Sequence, residues 1–201
     1  RFSSCPRKCH LDRALRVFGY LKKYPNKRIL VDSRDPIITG GDEVKAEQLA
    51  ASFREEYPDA VEEIDCNLPI PLVGELATTA FVDSDHAHDK ITRRSITGII
   101  ILVGRTPAVF HCLRQGAVET STYSAEFMAM RTAAEEIVSL RYMLRCLGVH
   151  VDTATHVYGD NLGVIQNATI KDSLLKKKHV AISYHRVREA VASSVIFPIK
   201  I

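Results

Sequence analysis

Apolar residues along this chain recur first at a helical spacing and later at the spacing of strands. Leu11, Ala14, Leu15 and Phe18 stand at i, i+3, i+4 and i+7, which predicts an amphipathic helix over about 10–23, ended by Pro25-Asn26. Arg28 to Asp32 reads as a short strand, followed by a turn-rich stretch through Pro36 and Gly40-Gly41. Ala46, Leu49, Ala50 and Phe53 mark a second short helix, stopped by Pro58. Residues 59–77 are acidic, broken by Pro69 and Pro71, and read as a linker.

After Leu76 the pattern changes. Ala80-Phe81-Val82-Asp83 is a strand that ends in an acid. Gly98 to Val103 places five apolar residues behind a glycine, as in a strand buried on both faces. Gly104-Arg105-Thr106-Pro107 is a turn and Ala108 to Cys112 a third strand, so the three form an antiparallel meander. A long helix from about Thr122 to Cys146 is started by the hydroxyls of Ser121 and Thr122 and ended at Gly148. His156 to Asp160 is a fourth strand, again ending in an acid, and Asn161 to Ala168 a short helix. Val180, Tyr184, Val187 and Val191 share one helical stripe, and Ser194 to Ile201 is a last strand. The order β-β-β-α-β-α-α-β predicts an α/β fold with one mixed sheet and helices on its faces.

Composition adds limits. Of 201 residues, 46% are hydrophobic and 25% charged, a balance that supports a folded core. No apolar run approaches the ~20 residues of a membrane span, so no membrane role is expected. The start, Arg1-Phe2-Ser3-Ser4-Cys5-Pro6, lacks the pattern of a secretion signal and an initiator methionine, so the chain is expected to be cut from something longer. A net charge of +3 permits a polyanionic partner without implying one. Lys176, Lys177 and Lys178 form a run beside His179, followed by His185, Arg186 and Arg188; a solvated helix face explains such a run without further function. The five cysteines are odd in number and widely spread, as in reduced intracellular thiols. Cys5-x-x-x-Cys9-His10 has no second ligand pair at a useful spacing for zinc.

Three acids stand where packing would not put them. Asp83 and Asp160 end strands, and ligands of open α/β sheets bind beyond strand ends. Glu126 shares a helix face with Met130, Ala133, Ile137, Leu140 and Leu144, while Arg131, Glu135 and Ser139 face water. A glutamate on a buried stripe must cap, pair with a cation or coordinate a metal. If the first and fourth strands are neighbours and the long helix crosses them, all three acids converge and can hold hard divalent cations through oxygen.

Phe81-Val82-Asp83-Ser84-Asp85, Arg93-Arg94-Ser95-Ile96-Thr97-Gly98, Val118 through Ala129 and Tyr158-Gly159-Asp160-Asn161 follow one another, and Lys178-His179-Val180 through Arg188-Glu189 completes the series. In this order the five motifs make residues 79–201 resemble the ribonuclease H domain of copia-type retrotransposon polyproteins. Residues 1–78 then resemble the tail of the preceding reverse transcriptase domain and its connection. The resemblance implies a ribonuclease H-like fold: a five-stranded mixed sheet, three antiparallel strands then two more, with helices on its faces. It implies hydrolysis of the RNA strand of RNA–DNA hybrids, with Asp83, Glu126 and Asp160 as catalytic metal ligands for two Mg²⁺ ions, Mn²⁺ being the alternative. Phosphate and hybrid contacts are expected from Arg93, Arg94, Ser121, Thr122, Asn161, Lys176, Lys177, Lys178, Arg186 and Arg188. The reverse transcriptase domain of the same polyprotein is the expected protein partner, and the expected location is cytoplasmic, within virus-like particles of an active element. Most relatives carry a second glutamate where this chain has Ser124, which singles out Glu126. The family's fourth acid is expected beyond Ile201, and Phe110-His111-Cys112-Leu113-Arg114 departs from the usual aromatic-x-Ser-Lys pattern.

Other features weigh less. Asp85, His86, His88 and Asp89 form a polar cluster, read as a solvated loop or as an auxiliary to the acids. Gly40-Gly41 lacks the lysine of a phosphate loop. An integrase on the same fold would place two aspartates before the glutamate, whereas the order here is Asp, Glu, Asp. The rival from another class is a non-catalytic domain that binds nucleic acid or braces a polymerase.

Overall fold

The computed structural model describes residues 7–27, 30–38, 53, 55–170 and 181–201. The chain divides into two compact units, Arg1–Val31 and Asp32–Ile201. The first carries helix α1 (Lys8–Lys23), with Lys22 and Lys23 in its last turn, where cations suit the free carbonyls. Its predicted stripe is present, yet Leu11, Leu15 and Phe18 are all more than half exposed.

The second unit is built on a five-stranded mixed sheet. Strands β2 (Thr78–Asp85), β3 (Ile96–Val103) and β4 (Thr106–Arg114) form the expected antiparallel meander, and β6 (Thr155–Gly159) and β7 (Ile196–Lys200) add parallel to β2, giving the order β4-β3-β2-β6-β7. Helices α2 (Thr122–Cys146), α3 (Leu162–Thr169) and α4 (Ala181–Ala192) fill the two parallel crossovers. Residue alternation separates the faces of the sheet. Ile101, Ala80 and Val157 lie side by side and are fully buried, whereas the adjacent row runs from Phe110 (73% exposed) through Ile100 and Phe81 to Tyr158.

The stripe of α2 enters the core as its spacing predicts: Met130, Ala133, Ile137 and Leu140 are buried. Ser121 caps the helix by accepting the Ser124 N–H, and Asn161 caps α3 by accepting that of Val164. Tyr184, Val187 and Val191 bury one face of α4, with the Tyr184 ring 6.0 Å from that of Phe127; Val180 lies outside the described residues.

Four expectations differ from the structure or fall outside it. β3 is buried on one face only, with Ile100 47% exposed on the other. Leu30 to Asp32 form no strand; the Asp32 N–H donates to Thr106 Oγ1 (2.8 Å) and its carbonyl accepts from the Arg105 N–H (2.9 Å), so a turn satisfies this backbone. That turn needs Gly104, at φ 56°, because a Cβ there would come 2.7 Å from the Asp32 carbonyl oxygen. Of the predicted helix marked by Ala46, Leu49, Ala50 and Phe53, only Phe53 is described, and it is fully buried. The stretch 59–77 is no free linker. Its strand β1 (Val73–Glu75) pairs in parallel with β5 (Val149–His150), a two-stranded sheet absent from the sequence reading. Upstream of it, Glu62 accepts from Arg141 Nε and Nη2 (2.8 and 2.8 Å) and from both Nη atoms of Arg145 (2.7 and 2.8 Å). Arg141 is 1% exposed, so this acid neutralises a buried cation. Composition marks such a segment as polar and cannot show where its partners lie.

Candidate metal centre

Parallel pairing of β2 with β6 brings two acids to one end of the sheet. Phe81 is opposite Tyr158, so Asp83 and Asp160, each two residues further on, emerge at the same edge. Along β2 the neighbours Val82 and Ser84 point inward and are buried, which turns the Asp83 side chain outward. Asp160 follows the last residue of β6 and is also exposed. Glu126 comes from above: five residues after the N-cap of α2, it faces the sheet and is 7% exposed. Oxygens of the three carboxylates lie within 4.8 Å of one another.

Like charges this close repel by a few kcal/mol even at an effective dielectric of about 20. Among the described residues, no Lys, Arg or His forms an ion pair with any of the three. The helix cap is Ser121, so Glu126 neither caps nor pairs with a cation. The cost shows in its acidity. Burial, with the charges of Asp83 and Asp160, raises the Glu126 carboxyl from 4.5 to about 7, and Ser84 offsets only part of the rise. Three uncompensated carboxylates fit a hard divalent cation, whose preferred donors are oxygens and whose charge removes the repulsion. Fixed interactions hold the frame: the Ser84 N–H donates to Asp83 Oδ1 (2.8 Å) and Lys200 Nζ to the Asp160 carbonyl (3.0 Å). Lys200 was not foreseen from the sequence; its place beside Asp160 follows from the parallel pairing of β6 and β7. An apolar cleft of about 540 Å³, lined by Phe81, Ile100, Phe110 and Tyr158, opens beside Asp83 and Asp160.

The neighbouring polar cluster is engaged with its own loop, with β4 and with the Glu119 carbonyl. His88 Nδ1 contacts Asp85 Oδ2, and His86 Nε2 bonds the Glu119 carbonyl (3.0 Å). The Thr92 hydroxyl, then the Ile91 and Thr92 N–H groups and Arg114 Nη1, donate to Asp89 and hold its carboxyl well below the usual range. Arg93 closes this loop at φ 55°, a left-handed conformation, and donates its N–H to the Asp89 carbonyl (2.7 Å).

The expected nucleic-acid residues divide by environment. Arg93 and Thr122 are exposed and Arg94 half-buried; Ser121 starts the helix that carries Glu126, and Asn161 follows Asp160. Arg186 is exposed and 3.5 Å from Glu189. Arg188 is placed differently. It is 2% exposed, pairs with Glu56 Oε2 (2.8 Å), and lies over the rings of Phe53 and Tyr184, so it serves the core and is closed to a phosphate in this structure. Position 188 is i+4 from Tyr184 and i−3 from Val191, so the helical period itself places it on the buried stripe; the charge of an arginine is what reads as surface. Lys176, Lys177 and Lys178 lie outside the described residues.

No family model matches the chain. Over 121 residues, 60% of its length, it is 28% identical to the "Retrovirus-related Pol polyprotein from transposon RE1" of Arabidopsis thaliana. The chain is similar to plant retrotransposon Pol polyproteins. The same extent and identity hold for the polyprotein from transposon TNT 1-94 of Nicotiana tabacum. These 121 residues span only 8% and 9% of those two polyproteins. Among solved structures, LC11-RNase H1, isolated from compost and crystallised with an RNA/DNA hybrid, aligns with 62% of this chain and 84% of its own at 12% identity and a TM-score of 0.49. No described helix is long and apolar enough to cross a membrane.

Proposed function

We propose that this chain is the ribonuclease H part of a copia-type retrotransposon polyprotein, hydrolysing the RNA strand of RNA–DNA hybrids during reverse transcription. The observation that carries the proposal is the convergence of Asp83, Glu126 and Asp160 at one sheet edge, where none of them forms an ion pair with a described residue. Similarity to retrotransposon Pol polyproteins supports the same reading. Residues 1–78 are assigned to the tail and connection of a preceding reverse transcriptase domain, the proposed protein partner, and 79–201 to the nuclease. The site of action is then the cytoplasm, within virus-like particles.

Asp83 and Asp160, both open to solvent, would hold two Mg²⁺ ions or Mn²⁺ in their place, with Glu126 as the buried ligand. Such ions supply an activated water and charge stabilisation for phosphodiester cleavage. Glu126 would help position the metal and the nucleophilic water, and a bound cation would favour the charged form of its carboxyl, whose pKa burial otherwise raises. Asp83 is held in orientation by the Ser84 N–H. Exposed Arg93 and Arg186, with Lys176 to Lys178, would contact phosphates, which predicts binding that weakens steeply with salt.

The test is incubation with a labelled RNA–DNA hybrid and Mg²⁺, beside Asp83→Asn and Glu126→Gln. Cleavage of the RNA strand alone, lost in both variants, supports the proposal. Tight hybrid binding without cleavage, even with the polyprotein's following residues attached, would favour the non-catalytic alternative.

A further inference from the structure

Beneath the acids lies a buried amide that the proposed chemistry does not use. Gln115 follows the last residue of β4 and is 8% exposed. Its Nε2 donates to Thr97 Oγ1 (3.0 Å) and to the Ala125 carbonyl (2.8 Å), and its backbone N–H donates to the Ser95 carbonyl (2.9 Å). Thr97 is the cross-strand partner of Ser84, which follows Asp83, and Ala125 precedes Glu126. One side chain therefore ties the strand beside Asp83 to the helical turn that carries Glu126.

Packing alone does not account for this residue. Gln115 Oε1 is buried with no hydrogen-bond partner, so the amide carries a desolvation cost that an apolar side chain of similar length would avoid. The Ala125 carbonyl is already available to the helix, so the bond from Gln115 adds an attachment to the strand that the helix does not itself need. Repulsion between Glu126 and the two aspartates pushes this turn of α2 outward, and the bond to Ala125 resists that movement.

We infer that Gln115 is a positioning residue for divalent-cation binding, holding the first turns of α2 so that Glu126 keeps its distance from Asp83 and Asp160. This rests on the metal reading above. Outer residues that orient metal ligands commonly change affinity by about 10–100-fold when lost.

The test measures Mn²⁺ binding to the full chain by calorimetry without nucleic acid, for the parent, Gln115→Met and Gln115→Leu. Both substitutions keep the volume and remove the donors. Ile137→Val, remote on the same helix, serves as a control for lost stability, and a melt in chelator confirms that each variant folds. The expected result is a dissociation constant raised about tenfold or more in both Gln115 variants and unchanged in Ile137→Val. The Mg²⁺ concentration for half-maximal cleavage should rise in parallel, with activity returning towards the parent's at saturating ion. Parental affinity in folded Gln115 variants would overturn the inference and leave the metal reading standing. Absence of binding in the parent would overturn both.

Discussion

Glu126→Gln tests the electrostatics of the acid cluster without any substrate. In the folded chain this carboxyl titrates near 7, against 4.5 for an unperturbed glutamate. The folded state therefore holds the proton longer than the unfolded state does, and stability falls as pH rises from 4.5 towards 7, then levels off. At about 1.4 kcal/mol for each tenfold change, the full loss is about 3 kcal/mol. Relaxation of the exposed aspartates reduces this, so about 2 kcal/mol is expected. Glutamine keeps the shape and removes the charge. In chelator, urea denaturation of parent and variant should agree within a few tenths of a kcal/mol at pH 4 and diverge by about 2 kcal/mol at pH 8, the variant being the more stable; for a chain of this size that is roughly 4–8 °C in Tm. Histidines and other groups titrate in both proteins and cancel in the difference. Millimolar Mg²⁺ should stabilise the parent and narrow the gap, since an ion that binds only the folded state adds to its stability. A pH-independent gap, or a parent more stable than the variant at pH 8 in chelator, would refute the reasoning.

Further outcomes follow from other contacts. Asp160→Asn should lower RNA-strand cleavage by about a hundredfold or more while leaving hybrid binding intact, as gel-based cleavage and filter binding would show. Glu62→Gln should cost about 3–5 kcal/mol in urea denaturation, because Arg141 would be left buried and poorly paired. Burial raises the Glu62 carboxyl, but bonds from Arg145 and Arg141 outweigh it and bring it to about 2, so its stabilisation is complete above pH 4.5 and disappears as pH falls towards 2; the parent's acid denaturation should be displaced accordingly relative to Glu62→Gln. Arg93→Ala should reduce the salt dependence of hybrid binding by about one phosphate contact, whereas Arg188→Met should lower Tm and leave that slope unchanged.

Periodicity determined the main elements of the second unit but not its two-stranded sheet: the meander, the long helix and the two later strands fall within a few residues of their expected places, whereas β1 and β5 were not expected. It also placed Asp160 just past a strand and Glu126 on an inward stripe, because side-chain direction along a strand or helix is a local property of the backbone, whereas β2 runs two residues beyond the expected end at Asp83. The proposed role of the cluster rests on motif order as well, which adds to that local information. Tertiary structure alone decided which strands are neighbours, and hence that Asp83 and Asp160 share an edge. It paired Glu62 with Arg141 and Arg145, turned Arg188 into the core against Phe53, and set Gln115 between Thr97 and Ala125. Each of these joins residues distant in sequence, and a charged or amide side chain reads as surface even where, as for Arg188, the helical period places it on a buried stripe. A lysine or arginine run looks alike whether it meets phosphate or a buried glutamate; only the packed partner distinguishes them.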